Sequence, residues 1–264
     1  VCGLYIAWQL WWTGVESEHA QAQERSQVEW SDPAADEKVT VAKAQPGDPP
    51  EVPKPSGEGD LIAELYIPRL GAQWNRNVVE GTTLEQLAKH GMGHYVQTQM
   101  PGQLGNFAVA GHRAGYGQPL GDINKLQAGD KIIVRTQDYW FVYTYTEHIV
   151  VLPDHVEVVA ENPEKPGEKP TKRLITLTTC EPKYQTATHR WIAYGEFTYW
   201  AKVSDGVPKE LADTDASGAV TFVNNGQQSL VSRLSSLTPV VLLALAVYLV
   251  LFTAAAVAWP WPVP

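Results

Sequence analysis

Three side chains of this 264-residue chain have the types needed for covalent acyl transfer: a thiol, a guanidinium and an imidazole. Cys180 comes directly after residues 174–179, whose apolar and β-branched residues alternate and predict a strand. Arg190 lies near the start of the next predicted strand, and His112 lies well upstream. A cysteine nucleophile, an arginine that stabilises an oxyanion and a histidine that carries a proton could together transfer an acyl group.

His112 is the histidine that the pattern favours for the proton, out of seven in the chain. It follows a predicted strand that ends in small residues, and Gly111 beside it permits close approach of the backbone and an exposed imidazole. His189 is nearer to Cys180 in sequence. However, alternation along a strand sends His189 and Arg190 to opposite faces, so only one of the two can point at the thiol.

The spacing of these residues and the segments around them resemble the sortase family. The sortase signature Thr-Leu-x-Thr-Cys is present at residues 176–180, and Arg190 matches the arginine that follows this signature. Further segments resemble class E sortases of actinobacteria in particular, and these are residues 91–95, 101–102, 105–113, 116–119 and 128–130. Several motifs in the same order, between residues 60 and 200, make the resemblance more specific than the signature alone.

The segment that carries these motifs has the pattern of a mostly β domain. Short runs rich in apolar and β-branched residues are bounded by turn residues, and they are 61–67, 106–110, 131–136, 140–145 and 148–152. Residues 84–89 predict a short helix that Gly91 closes. This pattern fits either a closed barrel or a sandwich. The resemblance implies the first: a closed eight-stranded sortase-type β-barrel with short helices, here flanked by membrane segments.

The resemblance also implies a cysteine transpeptidase. Its Cys180 thiolate would cleave a Leu-Ala/Pro-x-Thr-Gly sorting signal between Thr and Gly, and the threonyl carbonyl would be joined to an amine of the cell wall. Arg190 would bind the oxyanion and His112 would shuttle the proton. Arg113 is the alternative candidate for the arginine of the site, ranked second to Arg190. Further candidates for contacts with the substrate are Thr178, Thr179 and Arg113. This chemistry requires no metal or organic cofactor.

The implied partners are secreted proteins with a C-terminal sorting signal, together with a peptidoglycan precursor or a pilin lysine as amine acceptor. Two other functions stay open at this point. One is polymerisation of pilins, which a pilin substrate encoded beside the enzyme would indicate. The other is a non-catalytic, membrane-tethered binding barrel, against which the complete set of cysteine, histidine and arginine speaks.

Three features depart from the family pattern or leave the choice of signal and the presence of a lid undecided. Glu181 places a carboxylate directly after the nucleophile, where an unpaired negative charge would disfavour a thiolate. The proline-rich segment 161–170 falls where sortases shape the signal pocket. Asp32-Pro33 resembles the lid of pilus-building class C sortases, although Ala34 stands where an aromatic residue should follow.

Composition and hydropathy divide the chain into five parts. They are a truncated N-terminal transmembrane anchor (1–14), a polar proline-rich linker (15–59), the catalytic domain (60–202), a polar spacer (203–236) and a C-terminal transmembrane helix (237–259). Two anchors would hold the domain at the cell membrane on its extracellular face.

The formal net charge of −9 argues against a nucleic-acid partner, which would need a cationic face. Glycines 91 and 93 break the helix that a zinc pair of His90 and His94 would require.

Overall fold

The computed structural model describes residues 13–31, 39–214, 219–223 and 238–258. The chain forms two compact units, residues 1–227 and 228–264. Helices α1 (Thr13–Gln27) and α2 (Leu84–Lys89) belong to the first unit, and α3 (Thr238–Ala258) belongs to the second. Among its described residues the first unit also contains ten strands, which are β1 (Leu61–Tyr66), β2 (Asn75–Glu80), β3 (Met92–His94), β4 (Gly105–Gly111), β5 (Lys131–Arg135), β6 (Tyr139–Val151), β7 (Arg173–Glu181), β8 (His189–Lys202), β9 (Ala212–Thr214) and β10 (Val220–Phe222).

The first eight strands close into a barrel in the order β1-β2-β3-β4-β7-β8-β6-β5. The predicted closed eight-stranded β-barrel is therefore confirmed. Two of its pairs, β2–β3 and β4–β7, are parallel, and the other pairs are antiparallel. Parallel neighbours need a crossover connection, and α2 lies in the connection between β2 and β3. The pairing of β4 with β7 places the end of β4 beside the cysteine strand.

Both faces of the barrel wall carry apolar clusters. Alternation along β1 sends Leu65 into the barrel interior and Tyr66 to the outer face. On the outer face, Tyr66 packs with Trp140, and residues beyond β8 cover both side chains. The covering residues of this segment are Val203, Val207, Leu211 and Phe222. The predicted polar spacer thus begins with residues that pack against the barrel.

Strand β6 is a single strand where the sequence predicts two, 140–145 and 148–152. Its pairing with β8 shifts register between Tyr145 and Glu147, which marks a bulge at Thr146. A bulge adds one residue to a strand and reverses the alternation beyond it, so the pattern reads as a break. Strands β2 and β3 were not predicted, because β2 is mostly polar at its start and β3 has only three residues, one of them glycine.

Within the described part of the chain, no helix meets the combined requirements of length and apolarity for crossing a membrane. Helix α3 contains no charged residue, and the side chains of its residues 243–255 are exposed. Residues 1–12 of the predicted N-terminal anchor and the Asp32-Pro33 pair of the predicted lid lie outside the described residues. Both anchors and the bounds of the five parts stay predictions.

Candidate active site

Strand register brings Cys180 and Arg190 together. In the antiparallel pair of β7 and β8, the two residues lie directly opposite each other, so their side chains project from the same face of the sheet. His189 lies opposite Glu181, one position along, and therefore belongs to the other face from Arg190. The predicted separation of His189 from Arg190 is confirmed. Cys180 is a free, half-buried cysteine.

The parallel pairing of β4 with β7 brings His112 to the same level. Ala108 pairs with Thr176 and Ala110 with Thr178, the last pair of the ladder. His112 is the first residue after β4, and the same register continued by two residues would bring it level with Cys180. The Thr179 hydroxyl donates a 2.7 Å hydrogen bond to the carbonyl of Gly111 and fixes the two strands at this point. The thiol of Cys180 and the guanidinium of Arg190 thus lie on the neighbouring strands β7 and β8, and the imidazole of His112 follows the end of the adjacent strand β4.

The imidazole of His112 is partly buried, where the sequence pattern predicts an exposed one. Its ring lies against the ring of Tyr116, with 4.8 Å between the centroids and an angle of 31°. Its Nε2 is buried and has no hydrogen-bond partner among the described residues. Burial disfavours the charged form and lowers the pKa of His112 below its ordinary value. The imidazolium of His112 is therefore a stronger acid than that of an exposed histidine.

The carboxylate of Glu181 is neutralised by a neighbour. Arg113 donates a 2.7 Å hydrogen bond to it, and the Arg113 side chain is only 6 % exposed. The guanidinium also lies 5.0 Å from the ring of Trp191, which stacks on His148 with 4.1 Å between centroids. Because Glu181 is paired, the negative charge that follows Cys180 is offset by a neighbouring guanidinium.

A comparison with known proteins agrees with this geometry. A family model described as "Sortase domain" matches residues 65–198. Sortase SrtE1 of Streptomyces coelicolor is 36 % identical over 218 residues, which are 79 % of this chain and 56 % of the relative. The chain belongs to the sortase family. The predicted similarity to class E sortases is confirmed, and this sortase spans little more than half the length of SrtE1.

Solved sortase structures share the fold. The "SrtA sortase from Actinomyces oris" has 38 % sequence identity and a TM-score of 0.58, and the match covers 64 % of this chain and 96 % of that one. Sortase E1 from Streptomyces coelicolor, solved "with tripeptide in the active site", has 37 % identity and a TM-score of 0.53. That match covers 57 % of this chain and 96 % of the other.

The three residues predicted to contact the substrate all have partners within this sortase. The Thr178 hydroxyl bonds to the Tyr95 hydroxyl at 3.0 Å, and Thr179 bonds to the backbone of Gly111. Thr179 is buried and, by alternation, lies on the opposite face of β7 from Cys180. The guanidinium of Arg113 is engaged by Glu181. A substrate role for any of the three stays a prediction.

Sequence reasoning missed two features of this site. One is the pairing of Arg113 with Glu181, which joins residues 68 positions apart and has no local signal. The other is Tyr116, the residue that covers His112. Its position between Gly115 and Gly117 was a usable signal, since paired glycines often mark a backbone turn that needs positive φ angles.

Proposed function

We propose that this sortase is a class E cysteine transpeptidase. It cleaves a Leu-Ala/Pro-x-Thr-Gly sorting signal between Thr and Gly and joins the threonyl carbonyl to an amine of the cell wall. The observation that supports this proposal is the strand register: Arg190 lies directly opposite Cys180, and His112 follows the end of β4, which pairs in parallel with the cysteine strand β7. A tripeptide occupies the active site of Sortase E1 from Streptomyces coelicolor, and this supports a peptide substrate for the related chain.

The acylation step uses all three residues. The Cys180 thiolate attacks the threonyl carbonyl, a carbon–sulfur bond forms, and Arg190 donates hydrogen bonds to the developing oxyanion. Collapse of this intermediate breaks the bond between the threonyl carbon and the glycine nitrogen. His112, as imidazolium, gives its proton to the departing amine. The low pKa that burial gives His112 favours this proton transfer to a more basic nitrogen.

The second step reverses these roles with a new amine. Neutral His112 takes a proton from the acceptor amine as its nitrogen attacks the thioester, and the Cys180 thiolate leaves. The threonyl carbonyl is then bound to the acceptor, and the enzyme regains its thiolate and imidazolium. No other co-reactant is needed, because the energy of the peptide bond is kept in the thioester.

Arg190 suits the oxyanion better than its rival, Arg113. Arg190 lies directly opposite Cys180, and its only described side-chain bond goes to the carbonyl of its neighbour His189, at 3.1 Å. Arg113 is buried and engaged by a carboxylate. A guanidinium that is already paired with an anion has less capacity to bind a second one.

The proposed partners are secreted proteins that bear a C-terminal sorting signal, with a peptidoglycan precursor as amine acceptor. We place the barrel on the extracellular face of the cell membrane, anchored through the apolar segments at residues 1–14 and 237–259. Their composition supports the anchoring, since both segments lack charged residues and carry tryptophan near one end, as is typical of a lipid–water boundary.

The proposal is tested by trapping the acyl enzyme. The purified full chain is incubated with a sorting-signal peptide, and its mass is measured before and after addition of an amine. We expect a thioacyl adduct and cleavage between Thr and Gly, both lost in Cys180→Ala. Cys2→Ala is the matched control, because Cys2 is the chain's other cysteine and should leave the adduct unchanged. Turnover that persists in Cys180→Ala would exclude a thiol mechanism.

A further inference from the structure

Helix α1 packs against the barrel through a stripe of polar side chains. Thr13, Ser17 and Gln21 are spaced by four residues, so they share one face of the helix, and all three are buried. Buried polar groups must find hydrogen-bond partners, which makes such an interface specific in its geometry. The position of α1 on the barrel is therefore defined by individual hydrogen bonds.

The middle of the helix is hydrogen-bonded to strand β2. The side-chain oxygen of Gln21 accepts a 3.0 Å hydrogen bond from the backbone N–H of Asn77. Asn77 directly precedes Val78, which pairs with Met92 at the start of the β2–β3 ladder. The Asn77 amide donates in return to the backbone carbonyl of Gln21, at 3.0 Å. A Cβ on Gly91 would lie 2.7 Å from the Gln21 side-chain oxygen, so only glycine leaves room for this contact.

The first turn of α1 contacts the loop that follows His112. The backbone N–H of Tyr116 donates a 3.0 Å hydrogen bond to the Thr13 hydroxyl. A Cβ on Gly14 would lie 3.6 Å from the Cα of Gly117, which places the two backbones in direct contact. The helix thus bridges between the β2 strand and the loop beside the candidate base.

The loop of residues 115–118 has a strained backbone that contacts with other parts of the protein must stabilise. Residues 115–118 have φ angles of 71°, 50°, 76° and 45°, and two of them, Tyr116 and Gln118, are not glycine. A non-glycine residue in the left-handed region is strained, because its Cβ crowds the backbone. The surroundings hold this conformation: Thr13 bonds to Tyr116, and the Tyr184 hydroxyl donates to the Gln118 side chain at 2.9 Å.

We propose that Thr13 of α1 is a positioning residue for catalysis: its bond to the Tyr116 backbone keeps the left-handed loop, and with it the Tyr116 ring, against His112. The inference rests on the proposed function in one respect, the role of His112 as the proton carrier. The Tyr116 ring shields the imidazole from water. The hydrogen bond to α1 restricts movement of the loop that would carry this ring away.

The test compares Thr13→Val with two controls in the full chain. Valine keeps the shape of threonine but cannot accept the bond from Tyr116. Thr13→Ser restores the hydroxyl, and Ser26→Ala removes a hydroxyl of the same helix whose bond goes to Gln23 within α1. For each variant, NMR follows the titration of the His112 imidazole, a peptide-cleavage assay gives kcat and KM, and thermal unfolding checks the fold.

In Thr13→Val we expect the titration midpoint of His112 to rise toward its ordinary value, because a looser loop hydrates the ring. The substitution leaves Tyr116, Cys180 and Arg190 in place, so the rise would not come from a changed charge. We expect kcat to fall about five-fold, the factor that corresponds to one net hydrogen bond, with KM little changed. Thr13→Ser and Ser26→Ala should match the wild type.

An unchanged His112 titration and kcat in folded Thr13→Val would overturn the inference. Where Thr13→Val does not fold, two measurements replace it. The Tyr116 amide should be protected from hydrogen exchange in the wild type, and Tyr116→Leu should raise the His112 midpoint; failure of either would refute the positioning role. These readouts need no substrate. A wild type that cleaves no sorting-signal peptide would refute the proposed function and leave them standing.

Discussion

Replacing each of the two arginines of the site with methionine should have opposite consequences. The Arg113 replacement should mainly lower stability, and the Arg190 replacement should mainly lower activity. Arg113 is buried, paired with Glu181 and placed over Trp191. Arg190 is half-buried and lies opposite Cys180. We expect Arg113→Met to unfold at a clearly lower temperature while retaining most of its activity below that temperature. Arg190→Met should unfold like the wild type and be nearly inactive.

The magnitudes follow from burial. Breaking a buried ion pair by removing one partner costs about 3–5 kcal/mol, and we take the lower end because Glu181 keeps 27 % of its side chain exposed and can regain water. For a domain of this size, 1 kcal/mol moves Tm by about 2–4 °C, so Arg113→Met should lose about 6–12 °C. Removal of an oxyanion donor lowers kcat by about 10²–10³-fold, which is the effect expected for Arg190→Met.

Thermal unfolding and cleavage of a sorting-signal peptide well below both transitions measure these effects. The double variant Arg113→Met/Glu181→Gln is the control, since it removes the unpaired carboxylate and should recover about 1–2 kcal/mol of the loss. A Tm of Arg113→Met within one or two degrees of the wild type would contradict the structural role of the ion pair. Equal losses of activity in the two single variants would restore Arg113 as a contact of the substrate.

Two further predictions concern the base and the signal pocket. His112→Ala should lower turnover by about 10²–10⁴-fold, whereas His189→Ala, on the other face of β8, should stay near the wild type; equal damage in both would show that the base is assigned wrongly. Replacing residues 161–170 with a short Gly/Ser link should leave Tm nearly unchanged, because the segment is mostly exposed, but should alter the relative cleavage of peptides with alanine or proline at the second signal position. The same ratio of cleavage rates before and after the replacement would make the segment a surface loop without a role in selection.

The main elements of the site could be predicted because their signals are local. Cys180 ends an alternating run, and strand alternation alone separates His189 from Arg190, as the register of β7 and β8 confirms. The position of His112 relative to Cys180 could not be predicted from the residues around His112 alone. It depends on the parallel pairing of β4 with β7, which joins residues 68 positions apart.

The contacts that escaped prediction are long-range and polar. Gln21 and Asn77 are 56 residues apart, and each is an ordinary surface residue in the sequence pattern. Nothing in the composition of residues 15–59 distinguishes the part that packs against the barrel from a solvated linker. A helix without an apolar stripe is expected to be exposed, so burial through hydrogen bonds leaves no periodic signal.

The outer apolar cluster affects how this sortase should be divided for expression. A fragment that ends at residue 202, where the sequence pattern places the end of the domain, would lack Val207, Leu211 and Phe222. It would then present Tyr66 and Trp140, both now fully covered, on one continuous apolar surface. Exposed surfaces of this kind promote self-association. A fragment that continues through residue 223 keeps its own cover, and its behaviour in solution would report on the enzyme itself.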